Sequence, residues 1–374
     1  MPSWLKEGRG SLCGANVSLL LREMGITKPL LVAGERTKNV FFARTGMRLP
    51  VFDAFHPNPD LQDCVAGAAL YQEKGCDGLI SIGGGSAMDT AKGIKALLMT
   101  DIAHVRANQL PPEGKVPHLA IPGTAGTGAE TTAVAVLYED GQKLSVDHPA
   151  LLPDGVLLDG SLLDTLPEYH RKSCAMDALA QGIESWWAKK ATPGSRIHAE
   201  RAIRGVLDNL TAYLQGDRKA QDEMLHAAYE SGVAILTTRT TAAHAMSYQI
   251  TKKLGAAHGH ACMLTLPHLW AHLAAQAEYQ PMLTELARLL GGEKPMDGAV
   301  LLKGLLAVLK LDKIPMPDDA TLDMLAASVN PERLGNHPEA LTTAQLRAIY
   351  VQAFTPMTDT ERAEAIAAWE QYGK

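Results

Sequence analysis

Paired cysteines are missing from this sequence. Its five cysteines, Cys13, Cys64, Cys76, Cys174 and Cys262, are scattered and odd in number, and no two stand at zinc-ligand or redox spacing. That argues against a disulfide framework and favours a reducing compartment. A basic excess is missing as well: 35 Lys+Arg against 41 Asp+Glu leave a net charge of −6, which argues against sequence-independent binding to nucleic acid. No stretch approaches the ~18 uninterrupted apolar residues of a membrane span. The opening Met-Pro-Ser-Trp-Leu-Lys-Glu-Gly-Arg-Gly lacks the apolar core of a secretory signal. The expectation is a soluble, cytoplasmic chain with no membrane or nucleic-acid partner, and with a small-molecule substrate.

What is present is an ordinary globular composition, 46% hydrophobic and 20% charged over 374 residues, enough for two or three domains. In the first half, short apolar runs end in Gly-rich or polar turns: Leu30–Ala33, Gly78–Ile82, His118–Ile121, Val134–Tyr138 and Val156–Asp159. Unalternating runs of this kind, separated by helical stretches such as Leu61–Lys74, read as buried strands of a largely parallel sheet. Past Leu166-Pro167 strand signals fade and long Ala/Leu-rich segments of helical period take over: Met176–Ala188, Ile197–Tyr213, Lys219–Leu236 and Ala261–Gln276. The reading is an α/β dinucleotide-binding domain over 1–166 and an all-helical domain over 167–374. Pro315-Met316-Pro317-Asp318-Asp319 reads as a connector, because prolines this close cannot sit inside a helix.

Ser81-Ile82-Gly83-Gly84-Gly85-Ser86 follows a predicted strand and opens a predicted helix. Glycines let a backbone approach an anion closely, and the helix offers free N–H groups to a pyrophosphate. Ser86 reads as the helix cap and Asp89 as a first-turn carboxylate. A second Gly-rich loop, Gly123-Thr124-Ala125-Gly126-Thr127-Gly128, also follows a strand, which places Thr124 and Thr127 at the cofactor. After Leu30–Ala33, where a dinucleotide site often carries an acid for the ribose 2′-hydroxyl, stand Gly34, Glu35 and Arg36. Without an acid at the turn, and with Arg36 near a 2′-phosphate, NADP(H) is favoured over NAD(H).

In the second half, Asp177 and Gln181 lie four apart on one helical face and Glu184 extends that polar stripe. His244, Tyr248, His258 and His260 come later and converge with them only through the fold. Gly-Gly-Gly-Ser-x-x-Asp at 83–89, Ile-Pro-x-Thr-Ala-Gly-Thr-Gly at 121–128, Met-Asp-Ala-Leu at 176–179 and His-Ala-Met-Ser at 244–247, followed by His-Gly at 258–259, resemble the iron-dependent (group III) alcohol dehydrogenase family along nearly the whole chain.

The resemblance implies the dehydroquinate synthase-like fold, a dimer, and a divalent metal, iron or zinc, held in an interdomain cleft by one Asp and three His. Carried over by position, Asp177, His244 and His258 match ligands, Gln181 falls on a ligand histidine, and Tyr248 falls on a histidine near the nicotinamide. Gln181 then coordinates through its oxygen, His260 substitutes for it, or the site has lost its metal. The implied activity is reversible NAD(P)H-dependent reduction of a small aldehyde, its carbonyl polarised by the metal. Asp-Ala-Leu-x-Gln-x-Ile-Glu-Ser at 177–185 resembles a subgroup that includes phosphonoacetaldehyde reductases, which form 2-hydroxyethylphosphonate. Arg239, Lys252 and Lys253 are the candidate partners for the phosphonate. A lyase or synthase on the related fold, and a nucleotide-binding homologue with a degenerate metal site, are the alternatives.

Overall fold

The computed structural model describes residues 6–112 and 116–372. The first five residues, part of the segment read above for a secretory signal, lie outside the described residues. The chain divides into two compact units, Met1–Leu166 and Pro167–Lys374.

In the first unit the elements run β1 (Lys6–Arg9), α1 (Gly14–Glu23), β2 (Pro29–Ala33), α2 (Glu35–Thr45), β3 (Val51–Phe52), α3 (Leu61–Glu73), β4 (Gly78–Gly83), α4 (Gly85–Met99), α5 (Ile102–Arg106), β5 (His118–Pro122), β6 (Val134–Glu139), β7 (Gln142–Asp147) and β8 (Gly155–Leu158). Among the described residues, six strands form one parallel sheet in the order β1-β8-β5-β4-β2-β3. Every residue of β2, β4, β5 and β8 is buried. The reason is visible in the packing. Leu31, Ala33, Ile80 and Ile82 join Val17 and Phe41 of α1 and α2 in one core. Leu30, Val32 and Leu79 join Leu61, Ala91 and Ile94 of α3 and α4 in another. Alternate strand residues point to opposite faces, so a strand covered on both faces must be apolar throughout.

The segment Val134–Tyr138 departs from expectation. It forms a strand, but outside the parallel sheet: β6 pairs antiparallel with β7, and Leu137 faces Leu144. Asp140 (φ 50°) and Gly141 (φ 72°) form its two-residue turn, the positive-φ pair that a tight hairpin needs. The strands β1, β3 and β7 were not legible from apolar runs.

The second unit is helical: α6 (Glu168–Trp187), α7 (Pro193–Leu214), α8 (Arg218–Thr238), α9 (Ala242–Leu254), α10 (His258–Ala274), α11 (Gln280–Leu289), α12 (Asp297–Leu309), α13 (Asp319–Ala327), α14 (Pro331–Leu334), α15 (Thr343–Phe354) and α16 (Asp359–Tyr372). The connector at Pro315–Asp318 lies between α12 and α13. From Ala175 to Trp187 α6 is buried on every side, the mark of a central helix. Trp187 packs edge-on against Trp270 of α10, with centroids 5.8 Å apart. Among the described residues no helix is long and apolar enough to cross a membrane.

Candidate metal centre and nucleotide pocket

In the first unit the two loops at the carboxyl ends of β2 and β4 face a shared cavity of about 360 Å³, lined by Gly34, Glu35, Arg36, Thr37, Phe55 and Ile82 to Ala87. Its place follows from the topology. Phe41 of α2 belongs to one face of the sheet and Ile94 of α4 to the other. The crevice between the parent strands is thus a switch point, where α/β sheets bind ligands. Gly83 ends β4 at φ 145°, a conformation L side chains rarely adopt. Its carbonyl accepts from the Gly123 N–H at 2.7 Å, which ties the two glycine loops together.

Three details differ from the sequence reading. Gly84, not Ser86, caps α4, and it supplies no side-chain hydrogen bond. The first-turn N–H groups are thus left to a ligand. Ser86 lines the cavity and its hydroxyl accepts from the Asn58 N–H at 3.2 Å. Asp89 lies beyond the first turn and faces Lys92 at 3.9 Å, and burial pushes its carboxyl up to about 6. Thr124 and Thr127 pack behind Gly84 and Gly85, outside the cavity lining. Arg36 lines the cavity and donates to the Thr165 carbonyl at 2.9 Å. Glu35 pairs with Lys38, which also reaches Asp53 at 2.7 Å.

In the second unit α6, α9 and α10 bring Asp177, His244, His258 and Cys262 together, with one ligand atom from each lying within 4.8 Å of the others. The Nε2 of His244 is 3.2 Å from Asp177 Oδ1, the Nε2 of His258 is 3.9 Å from the same oxygen, and the thiol of Cys262 is 3.9 Å from His258 Nε2. Asp177 and His244 are buried, whereas the His258 side chain is 38% exposed and forms the open side.

The outer neighbours decide which nitrogen each ring offers. Glu184, fully buried, accepts from Thr241 Oγ1 at 2.6 Å, from the Ala243 N–H at 2.8 Å and from His244 Nδ1. The Ser247 hydroxyl donates to the His244 carbonyl at 2.8 Å, so it accepts from His258 Nδ1 at 3.3 Å. With Nδ1–H committed outward, each ring presents an Nε2 lone pair inward. A lone pair and a carboxylate oxygen 3.2 Å apart repel unless a cation lies between them, either a proton or a metal. Burial would lower the basicity of His244, but Cys262, Glu184 and Asp177 around it hold it well above the ordinary value. Burial raises Asp177 too, and the two imidazoles more than offset that, so its carboxyl is held low. This donor set fits a divalent metal: two imidazoles, one carboxylate and a thiol, with outer partners fixing the rings.

Gln181 lies beside the cluster. Its Nε2 donates to Asp177 Oδ1 at 3.4 Å and its Oε1 accepts from Ser231 Oγ at 2.8 Å. His260 is turned away from it: Nε2 bonds the Leu311 carbonyl at 2.8 Å and Nδ1 meets the Tyr169 hydroxyl at 3.1 Å. Both nitrogens are committed, which removes His260 as a substitute ligand. Tyr248, one turn after His244, lies flat on His258 with ring planes 5° apart. Arg239 is half-buried at the end of α8 and donates to Leu236 O at 3.2 Å, while Lys252 and Lys253 are exposed at the end of α9. The helical rise puts Lys252 about 12 Å along α9 from His244. Sequence reasoning missed Cys262 as a member of the cluster and left Glu184 and Ser247 without a role. For Cys262 a signal existed: it follows His258 by four residues, on one helical face.

Two further facts concern the crossing of α6 and α10. A side-chain carbon on Gly259 would stand 2.0 Å from the Ser173 carbonyl oxygen and 2.6 Å from the Asp177 nitrogen. The helices therefore touch backbone to backbone beside the donors.

Comparison with known proteins agrees with both halves. Residues 3–160 match the iron-containing alcohol dehydrogenase family, and residues 172–354 match the C-terminal part of the Fe-containing alcohol dehydrogenase family. An NAD-dependent methanol dehydrogenase of Bacillus methanolicus is 31% identical over 304 residues, 76% of this chain and 77% of that one. A phosphonoacetaldehyde reductase of Streptomyces viridochromogenes is 36% identical over 230 residues, 57% of this chain and 58% of the relative. The crystal structure of a sulfoacetaldehyde reductase from Bifidobacterium kashiwanohense, in complex with NAD+, superposes with a TM-score of 0.85 at 26% identity, covering 95% of this chain and 97% of that one. The glycine loops, the buried donor cluster and these matches have one common explanation, which is that the chain belongs to the iron-containing alcohol dehydrogenase family.

Proposed function

We propose that this chain reduces a small aldehyde to its alcohol, reversibly, with NAD(P)H and a divalent metal. The observation that carries this reading is the inward pair of Nε2 atoms facing Asp177, each ring held from behind by Glu184 or Ser247. Asp177, His244 and His258 would hold the metal, with Gln181 beside them. When bound there, a divalent metal supplies a Lewis acid that polarises a carbonyl and stabilises the developing alkoxide charge.

The chain's own residues do the rest. Gly83, Gly84, Gly85 and Ser86 present the α4 N-terminus to a pyrophosphate. Gly34 leaves the turn after β2 without an acid and Arg36 stands next to it, which supports NADP(H) over NAD(H). His258, being half-exposed, marks the side from which substrate arrives. Tyr248 packs flat on His258 and either relays a proton to the alcohol or shields the ring, and Tyr248→Phe separates the two. A homodimer, which rests on the family resemblance, and a cytoplasmic location, which rests on the scattered free cysteines, belong to the same proposal.

The substrate class proposed is a short aldehyde, with phosphonoacetaldehyde, reduced to 2-hydroxyethylphosphonate, as the named candidate. Support for it is the similarity to the Streptomyces reductase. The test is oxidation of NADPH and of NADH by the purified protein with phosphonoacetaldehyde and simple short aldehydes, before and after chelation, with iron or zinc added back. Turnover that vanishes on chelation and returns with metal supports the proposal, and the ranking of aldehydes and of the two nucleotides refines it. Nucleotide binding without turnover under any metal would sink it and favour a degenerate-site homologue.

A further inference from the structure

We infer that Cys262 is a metal donor in this chain, its thiolate completing the set Asp177, His244 and His258 and biasing the site towards zinc over iron. The inference rests on the proposed function above and assigns to the ion a neighbouring thiol that the proposal did not use.

Geometry carries it. Cys262 sits one turn after His258 on α10, so both side chains leave the same face. Its sulfur is 3.9 Å from His258 Nε2, and the four donor atoms all lie within 4.8 Å of one another. With metal–ligand lengths of about 2.0–2.1 Å to N and O and about 2.3 Å to S, the edges of a tetrahedron are about 3.3 Å between N and O and about 3.6 Å between N and S. The observed 3.2, 3.9 and 3.9 Å are close to those edges. Small rotamer shifts, without movement of helices, would close the set around one ion.

Gln181 is the competing donor. Its amide lies between Ser231 Oγ at 2.8 Å and Asp177 Oδ1 at 3.4 Å, and Ser231, whose single proton also reaches the Ala228 carbonyl at 2.7 Å, can accept from that amide. Coordination through Oε1 would need the amide turned end for end. The thiol needs no such turn. Charge also balances: one carboxylate, one thiolate and two neutral imidazoles neutralise a divalent cation. A thiolate in place of an oxygen donor shifts preference towards softer ions, so zinc gains relative to iron.

The experiment is cobalt substitution of the full-length protein. Metal is stripped with a chelator, Co(II) is loaded under anaerobic conditions, and the absorption spectrum is recorded. The expected result is visible d–d bands together with an intense near-ultraviolet thiolate-to-cobalt charge-transfer band. That band should persist in Gln181→Ala and vanish in Cys262→Ser, where d–d bands remain. The zinc-over-iron affinity ratio, measured by competition, should fall about 10–100-fold in Cys262→Ser. Absence of the charge-transfer band from the wild-type spectrum is decisive by itself, so the inference can fail without a variant that folds. Visible bands without the charge-transfer band overturn the inference and leave the metal centre standing, with Gln181 or solvent as the fourth donor. Failure to take up cobalt, zinc or iron at all overturns both readings.

Discussion

The two units build their sites from different material. In the first, the cavity stands at backbone turns: Gly34 to Thr37 after β2, Gly83 to Gly85 after β4, and the start of α4, which has no side-chain cap. In the second, the site is made of side chains, contributed by α6, α9 and α10 and spanning positions 177 to 262. A main-chain site depends on what is absent at each position. A side-chain site depends on what is present, and on what stands behind it. The two should therefore fail in different ways.

The sharpest way to break the comparison is Asp177→Ala. It should abolish metal content and lower turnover by about 10³-fold or more, while the dissociation constant for NADPH stays within about two-fold. Metal analysis and a nucleotide fluorescence titration measure the two arms. Equal loss of both would mean the sites are not separable. Next comes Glu184→Gln, which leaves every direct donor in place. Removing the carboxylate behind His244 should weaken zinc binding about 10–100-fold, as read by competition with a chromogenic chelator. Unchanged affinity would show that Thr241 and the backbone suffice to hold the ring.

Gly83→Ala tests the other unit. The φ of 145° is strained for alanine by about 1–3 kcal/mol, so NADPH affinity and the melting temperature should fall while metal content stays the same. The smallest expected effect is pH-dependent. Glu130, in the second glycine loop, is 1% exposed, its Oε1 has no partner among the described residues, and burial pushes its carboxyl up to about 7. The folded state then keeps a proton that the unfolded chain releases near 4.5, the ordinary value. Stability is lost as pH rises from about 4.5 to about 7 and stays lost above. Glu130→Gln should raise the melting temperature by a few degrees at pH 8 and leave it unchanged at pH 4.5.

The same difference in material explains what could be read beforehand. Gly83 to Ser86 is contiguous, flanked by an apolar run and a helical pattern, so one window of sequence contains one of the two turns that line the pocket. The Asp140-Gly141 turn went unread together with its flanking strand Gln142–Asp147, which carries few apolar residues. β1, Lys-Glu-Gly-Arg, is polar because it lies at the sheet edge beside β8. The metal centre is different. Asp177, His244 and His258 were placed by resemblance, because no window holds them. Cys262 was passed over among scattered cysteines, although it follows His258 by one turn of the same helix. Ser86 was read as a cap because serine often is one, whereas β4 runs on to Gly83 and α4 starts before Ser86, from a bare glycine.

In the proposed metal centre, the crossing of α6 and α10 would set the size of the ion site. At Gly259, next to His258, α10 rests on the backbone of α6 at the level of Asp177. Two chains meeting there at main-chain distance leave no slack for the donors to drift apart, so the aperture offered to an ion is gauged by a methyl group the chain does without. An alanine at that position would act as a wedge, widening the gap between Asp177 and His258 without removing a single ligand. Tolerance for ions of different radius is thus written into the backbone, one residue away from the chemistry.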